Sequence, residues 1–88
     1  MSSVFDWDAR NTDPVSRHGI QPFEVEEAMA DPGRIGIDVQ DRGKKGILGR
    51  TEDGRLLFVV YVVRDGVYRV ITARGLTPGE KRIFQRRG

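Results

Sequence analysis

The spacing of hydrophobic and polar positions changes near the middle of the chain. In residues 22–29 the apolar side chains recur at helical spacing, and glutamates fill the first turns, where a helix dipole favours anions. The predicted buried stripe of this helix is Phe23, Val25, Ala28 and Met29. From residue 46 onward the apolar residues form short runs of β-branched and aromatic type instead. The pattern therefore predicts helices first and strands afterwards.

The helix ends are indicated by proline and glycine. Asp13 before Pro14 is typical of an N-cap and a first helical position, which predicts a short helix over residues 14–18. The next helix begins at Pro22 and ends before Pro32, because a residue that precedes proline avoids the helical region. Two helices are therefore expected in the first third of the chain.

The rest of the chain predicts an antiparallel sheet and one more helix. The strand-like stretches are residues 34–39, 46–51 and 56–63 and the run that follows Asp65-Gly66. Residues 4–7 are a further short strand or a docking segment. Thr77 and Glu80 form a capping box for a helix over residues 78–86, with Ile83 and Phe84 as its apolar contacts. The expected fold is α+β, with two N-terminal helices, a meander of three to four strands and a C-terminal helix, in one domain over residues 1–88.

A two-residue turn fixes the expected register of the last hairpin. Asp65-Gly66 suits a primed turn, so Arg64 should oppose Val67 and Leu57 should oppose Arg74. The predicted core face carries Phe58, Val60, Val62, Ile71 and Ala73. The predicted second face, which turns polar toward its end, carries Leu57, Val59, Tyr61, Tyr68, Val70, Thr72 and Arg74.

Composition narrows the possible functions. The chain has 88 residues, no cysteine and one histidine, so disulfides and thiolate zinc sites are excluded and no cofactor is expected. The longest apolar run has eight residues, whereas a membrane span needs about 20. The first residues lack a signal-peptide pattern, so a cytoplasmic protein without membrane attachment is expected. Glycine loops for phosphates, nucleophile elbows and dinucleotide motifs do not occur in the sequence.

Charge is divided unevenly along the chain. Residues 1–41 hold three Lys or Arg against nine Asp or Glu, a net charge of −6. Residues 42–88 hold twelve Lys or Arg against four Asp or Glu, a net charge of +8. Such a division is typical of a surface that meets phosphates or an acidic partner. The alternative is that the two halves neutralise one another across the fold.

Several polar residues are candidates for binding or chemistry, each with a structural alternative. Arg74 ends a strand close to a helix amino terminus and could bind an anion there, or pair with an acidic helix of the first half. Thr72 could contact substrate or serve as a strand residue. His18 could transfer protons or contact the last carbonyls of a helix. Glu80 could be catalytic, although the capping box also explains it. The basic residues of the last helix form a phosphate-contacting edge or a solvated face.

Three segments taken together resemble the BrnT family of bacterial toxins. They are Phe5-Asp6-Trp7-Asp8 with Arg17-His18-Gly19-Ile20, the run over residues 22–28, and residues 48–61 leading to Arg69-Val70-Ile71-Thr72-Ala73-Arg74. The resemblance covers almost the whole chain in order. Pro14 is expected to shorten the first helix relative to the family, and Thr72 replaces a common serine.

The resemblance implies a fold like that of the RelE ribonucleases, with metal-independent RNA cleavage that inhibits translation. It also implies a BrnA-like antitoxin as partner, while self-association stays open. The family's motifs fall on Trp7, Arg17, His18, Gly19, Thr72, Ala73, Arg74, Leu76, Thr77 and Glu80. The expected catalytic residues are His18, Arg74, Arg50 and Glu80, and the expected substrate-binding residues are Arg17, Arg42, Lys44, Lys45 and Thr72. An endoribonuclease is the first hypothesis. The second is a non-catalytic module of the same fold that binds nucleic acid or protein through its basic face.

Overall fold

The computed structural model of the chain describes residues 4–41 and 43–87, apart from the side chain of Arg87. The elements are α1 (Ala9–Arg17), α2 (Pro22–Met29), β1 (Ile35–Ile37), β2 (Lys45–Arg50), β3 (Leu56–Arg64), β4 (Val67–Gly75) and α3 (Pro78–Arg87). The four strands form one antiparallel sheet in the order β1-β2-β3-β4. The predicted α+β plan, with two helices before the meander and one after it, is confirmed.

Helix α1 starts earlier than its proline suggests. The Asp8 carboxylate accepts the Arg10 N–H at 2.8 Å, and the Asn11 side chain accepts the Asp8 N–H at 2.8 Å. This capping box starts the helix at the residue after Asp8, so Pro14 lies inside it and the predicted start at Pro14 is wrong. The predicted end is confirmed, because Gly19 follows the helix with a φ of 71°. Helix α1 therefore begins five residues before Pro14.

The sheet is covered by helices on both faces. Helices α1 and α2 pack on one face, which holds the larger cluster of buried residues: Val15, Ile20, Val25, Ala28, Ile47, Leu57, Val59, Val70 and Ala73. Helix α3 covers part of the other face through a smaller cluster, which consists of Ile35, Leu48 and Phe84 with Ile37, Leu56, Phe58 and Leu76 packed against it. The main core therefore lies between the sheet and the first two helices.

A β-bulge reverses the predicted faces at the end of the last hairpin. The turn is as expected, with Asp65 and Gly66 at φ values of 53° and 77°. The register then shifts between Val60 and Tyr61 of β3, which leaves Ile71 of β4 unpaired. Because side chains alternate along a strand, this one extra residue places every side chain of β4 after Ile71 on the face opposite to the one expected relative to β3.

The core face predicted for this hairpin is wrong for Phe58 and Val60 of β3, whereas Ala73 of β4 lies in the main core as predicted. Val60 pairs with Thr72, and Phe58 pairs with Arg74, so these four side chains share the face toward α3. The face toward α1 and α2 is the one that carries Leu57, Val59, Val70 and Ala73. Arg74 was expected beside Leu57, and the bulge places it beside an aromatic ring instead.

Two further expectations about apolar contacts are wrong. Phe23 was expected in the buried stripe of α2 and Ile83 as an apolar contact of α3, but their exposed fractions are 57% and 45%. Their helices are anchored by Val25 and by Phe84, both of which are buried. Each helix buries a narrower stripe than its sequence suggests, because neither lies deep between two layers.

The first residues of the described chain form a docking segment rather than a full strand. Phe5 makes one isolated parallel bridge to Tyr68 of β4, and its ring lies 5.4 Å from the Tyr68 ring. Trp7 packs against the larger core cluster, and its indole N–H donates to the Glu26 carboxylate at 2.8 Å. The docking alternative for residues 4–7 is therefore confirmed. None of the described helices is both long and apolar enough to cross a membrane.

Candidate functional site

Arg74 lies near the end of β4, on the face of the sheet toward α3. Its guanidinium carbon is 4.6 Å from the centre of the Phe58 ring, the aromatic side chain directly opposite on β3. A cation over an aromatic face is attracted by the ring quadrupole. The Arg74 side chain is 36% exposed, so it rests on the ring and still reaches solvent.

Glu80 of α3 binds the same guanidinium through both of its oxygens. Arg74 Nη1 donates to Glu80 Oε1 at 2.8 Å, and Nη2 donates to Oε2 at 2.9 Å. Glu80 also accepts the Thr77 N–H at 2.9 Å, while the Thr77 hydroxyl accepts the Glu80 N–H at 3.2 Å. The predicted capping box is confirmed. The anion beside Arg74 is thus a carboxylate of this chain, and the alternative partner, an acidic helix of the first half, is wrong.

The pair changes the acid strengths of both groups. The Arg74 guanidinium, helped by the backbone of Thr77, holds the pKa of Glu80 below its ordinary value, although burial opposes the shift. The hydrogen bonds that Arg74 donates to Glu80 likewise raise the pKa of Arg74. Both groups are therefore charged at neutral pH. A carboxylate with a lowered pKa is a weak general base, so its hydrogen bonds favour a positioning role for Glu80.

A stability measurement against pH tests this pairing. Glu80→Gln is expected to lower the free energy of unfolding by about 1 kcal/mol or less at pH 7, since the pair is partly exposed. A carboxylate whose folded-state pKa is lowered stabilises the fold above its ordinary value of 4.5 and loses that contribution as the pH falls through the folded-state pKa. Urea midpoints of both proteins should therefore converge as the pH falls from 4.5 through the folded-state pKa of Glu80.

The control for this experiment is another carboxylate. Glu52 is exposed in the turn between β2 and β3, so Glu52→Gln reports the loss of a charge outside the pair. A Glu80→Gln difference that keeps the same size at every pH would contradict the assigned pair.

Arg50 occupies a related position at the end of β2. Its guanidinium carbon lies 5.4 Å from the centre of the Phe84 ring of α3, and its backbone N–H donates to Asp31 at 2.9 Å. Arg50 pairs with Leu56 at the start of β3, on the same face as Arg74. Among the described side chains, no carboxylate lies within ion-pair distance of its guanidinium. Two arginines supported by aromatic rings thus flank β3 at one end of the sheet.

Thr72 shares the face of Arg74 and is half-buried, opposite Val60. Its position between the bulge and Arg74 brings it close to the candidate phosphate site. The structure therefore groups Thr72, Arg74 and Glu80, with Arg50 at the same end of the sheet.

His18 and Arg17 lie apart from this group. Both are exposed at the end of α1, which packs on the opposite face of the sheet. Arg55, in the turn after β2, contacts the end of α1, because its guanidinium donates to the carbonyl oxygens of Gly19 at 2.9 Å and of His18 at 3.4 Å. His18 is therefore at the same end of the sheet as Arg74 but beyond the other face.

The predicted basic loop is distant from Arg74. Lys45 begins β2 and Arg50 ends it, so the two are about 17 Å apart along the strand. Lys44 donates to Asp41 at 2.8 Å. Arg42 lies outside the described residues. Lys44 and Lys45 can serve only as a remote part of a long binding surface.

The two oppositely charged halves of the chain neutralise one another only in part. Arg55 pairs with Glu24, and Arg69 pairs with both Asp6 and Asp8, which lowers the pKa of Asp8. The exposed bases of α3 are Lys81, Arg82 and Arg86, and they make no ion pair with any side chain that the structure describes. Neutralisation between the halves is thus confirmed for Arg55 and Arg69, and a surface that meets phosphates stays a prediction for the bases of α3. In the part of the chain described, no group of three His, Asp or Glu residues could hold a metal ion.

Sequence reasoning missed the aromatic supports of the site. Phe58 was assigned to the core, and Phe84 was assigned to helix packing alone. Only the correct register, including the bulge, places Phe58 opposite Arg74. The sequence indicated the site only by a strand β4 that turns polar at its end and by an aromatic residue on the neighbouring strand β3. The bulge that brings the two side chains together has no clear sequence pattern.

Comparison with known proteins agrees with the resemblance. Residues 7–80 match the sequence model of a family described as BrnT, the ribonuclease toxin of type II toxin-antitoxin systems. No curated protein matches the chain. The matched span contains every candidate site residue, from Arg17 to Glu80. A family of this kind implies RNA as the substrate and an antitoxin protein as a partner. Because the match covers well over half of its length, the chain belongs to the BrnT family of ribonuclease toxins.

Proposed function

We propose that this protein is a metal-independent endoribonuclease that inhibits translation by cleaving RNA, with Arg74 as its main catalytic residue. The observation that carries the proposal is the Arg74 guanidinium, which is stacked on Phe58, fixed by Glu80 and still 36% exposed. Such a group can neutralise charge that develops on a phosphate. The exposed bases of α3 and Arg50 place positive charge around the site, which favours binding of an RNA backbone.

The nucleophile of this reaction is supplied by the RNA itself. The ribose 2′-oxygen attacks the adjacent phosphorus and loses its proton, the bond from phosphorus to the 5′-oxygen breaks, and that oxygen gains a proton. The products are a 2′,3′-cyclic phosphate and a 5′-hydroxyl end. Arg74 and Arg50 are assigned to the negative charge that accumulates on the phosphate oxygens, and Thr72 is assigned to contact with the RNA backbone.

His18 is assigned to proton transfer, and Arg17 to the neighbouring phosphate. His18 is the one histidine of the chain, and histidine is the side chain that most often acts as a general acid or base. It acts on the same RNA as Arg74 only if the strand crosses the end of the sheet from the α3 face to the end of α1. His18→Ala is therefore expected to slow cleavage by about 10²-fold.

The deciding experiment is cleavage of RNA by purified protein in EDTA. Products with 2′,3′-cyclic phosphate ends are expected from the wild type, and growth should stop when the protein is expressed without an antitoxin. An unchanged cleavage rate in His18→Ala would remove His18 from the mechanism. Intact RNA, combined with binding that weakens steeply as salt rises, would replace the proposal by a non-catalytic module that binds nucleic acid.

A further inference from the structure

We infer that Glu80 and Phe58 are positioning residues, which together hold Arg74 so that one pair of its donors faces a single phosphate of the RNA. The inference rests on the proposed ribonuclease function and adds to it a defined geometry at the reacting phosphate. It also gives Glu80 a role other than proton transfer.

The donors of Arg74 can be counted. A guanidinium has five N–H groups. Nη1 uses two of them, on Glu80 Oε1 at 2.8 Å and on the Gly75 carbonyl oxygen at 3.0 Å, and Nη2 uses one on Glu80 Oε2 at 2.9 Å. The Nε–H and the second Nη2–H are left, and within residues 4–41 and 43–87 neither is bonded to an acceptor. These two donors lie parallel on one edge, which is the arrangement that binds two phosphate oxygens at once.

Glu80 and Phe58 restrict different movements of the guanidinium. The Phe58 ring, 4.6 Å from the guanidinium carbon, sets the plane of the group. The two bonds to Glu80 then prevent rotation within that plane, so the remaining edge keeps one direction. An arginine that is already oriented loses little conformational freedom when the transition state forms, and this lowers the barrier.

The negative charge of Glu80 should have opposite effects on RNA binding and on RNA cleavage. A carboxylate close to the RNA backbone repels it, so Glu80 weakens binding in the ground state while it improves the geometry of cleavage. Removal of this charge should therefore slow the chemical step and leave RNA affinity equal or higher. A residue that only supported the fold would lower both together.

Glu80→Gln is the suitable variant. Glutamine at this position can still accept the Thr77 N–H of the capping box, but it cannot accept both Arg74 bonds. In single-turnover assays in EDTA we expect the cleavage rate to fall about tenfold. Affinity for a non-cleavable 2′-O-methyl RNA of mixed sequence should stay within about twofold of wild type or increase. Phe58→Leu, which keeps apolar volume without the ring, should slow cleavage severalfold.

Thr77→Ala is the matched control. It removes the hydroxyl that accepts the Glu80 N–H and leaves the Arg74 pair in place, so both rate and affinity should stay within about twofold. A Glu80→Gln rate equal to or above that of wild type would overturn the inference. A faster rate would instead make Glu80 a restraint that withholds Arg74 from RNA.

A spectroscopic arm separates this inference from the proposed function. The Nε–H resonance of Arg74, identified by its loss in Arg74→Lys, should shift when 2′-O-methyl RNA is added to the wild type. No shift at saturating RNA would overturn the inference even in an active enzyme. A shift in a protein that cleaves no RNA would keep the phosphate-binding edge and reject the ribonuclease.

Discussion

Arg74→Ala is expected to reduce the single-turnover rate of RNA cleavage by about 10²-fold or more, the usual effect of removing one preorganised donor from a developing oxyanion. The variant loses the cation over Phe58 and leaves the Glu80 carboxylate beside the phosphate site without its partner. The remaining local charge is negative, so the loss exceeds that of one hydrogen bond. Cleavage of a labelled RNA in EDTA measures the rate, and growth during expression without antitoxin reports it in cells.

Two other arginine substitutions make this result interpretable. Arg74→Lys keeps the charge but loses the two parallel donors, so its rate should fall about tenfold, between wild type and alanine. Arg64 is exposed at the far end of β3, and Arg64→Ala should leave the rate within about twofold of wild type. Growth inhibition by Arg74→Ala as strong as by wild type would contradict a catalytic role for Arg74.

The fold was more predictable from the sequence than the site. Strand and helix types follow from local patterns, and the turn at Asp65-Gly66 and the cap at Thr77 are decided within a few residues. The site depends instead on which face of β4 carries Arg74. One unpaired residue, Ile71, decides that face, and the choice is made by packing across the whole sheet.

The bulge has a functional consequence as well as a geometric one. Without it, Arg74 would share the face of Leu57, which is fully buried beneath the first two helices. A guanidinium there would require an acidic partner on α1 or α2 and could not reach RNA. With the bulge, Ala73 fills the core and Arg74 reaches the partly exposed face beside α3. The bulge in β4 thus allows the same strand to bury Ala73 in the core and to expose Arg74 on the other face.

The start of α1 was also predicted wrongly because it depends on a contact made in the folded chain. The pair Asp13-Pro14 predicted a helix start by sequence alone, whereas Asp8 is the residue that caps α1. Asn11 decides in favour of Asp8, because its buried side chain accepts the Asp8 N–H and donates to the Asp6 carbonyl oxygen at 2.8 Å. Such a contact becomes visible only when the preceding segment is docked on the sheet.

Gly49→Ala is expected to cause a larger loss of stability than an alanine at any other glycine of the sheet. Gly49 lies in β2 opposite Leu57, and a Cβ built on it would overlap the carbonyl oxygen of Ala28 in α2, with the Ala28 carbonyl carbon only 2.9 Å away. These are backbone atoms, so no side-chain rotation can relieve the overlap. Helix α2 must move away from the sheet, at a cost of about 3 kcal/mol. Urea unfolding followed by far-UV circular dichroism measures the loss.

Gly36→Ala is the matched control, because it makes the same change in the neighbouring strand β1. Nothing lies within 4 Å of a Cβ built on Gly36, and neither glycine has a positive φ. The control should therefore unfold within about 0.5 kcal/mol of wild type, or slightly later, since alanine has less conformational freedom than glycine in the unfolded chain. Equal urea midpoints for the two variants would show that α2 does not pack as closely on β2 as the structure describes. Because Arg74 and Glu80 lie on the opposite face, the folded fraction of Gly49→Ala should still bind RNA, which separates the packing of α2 from the site itself.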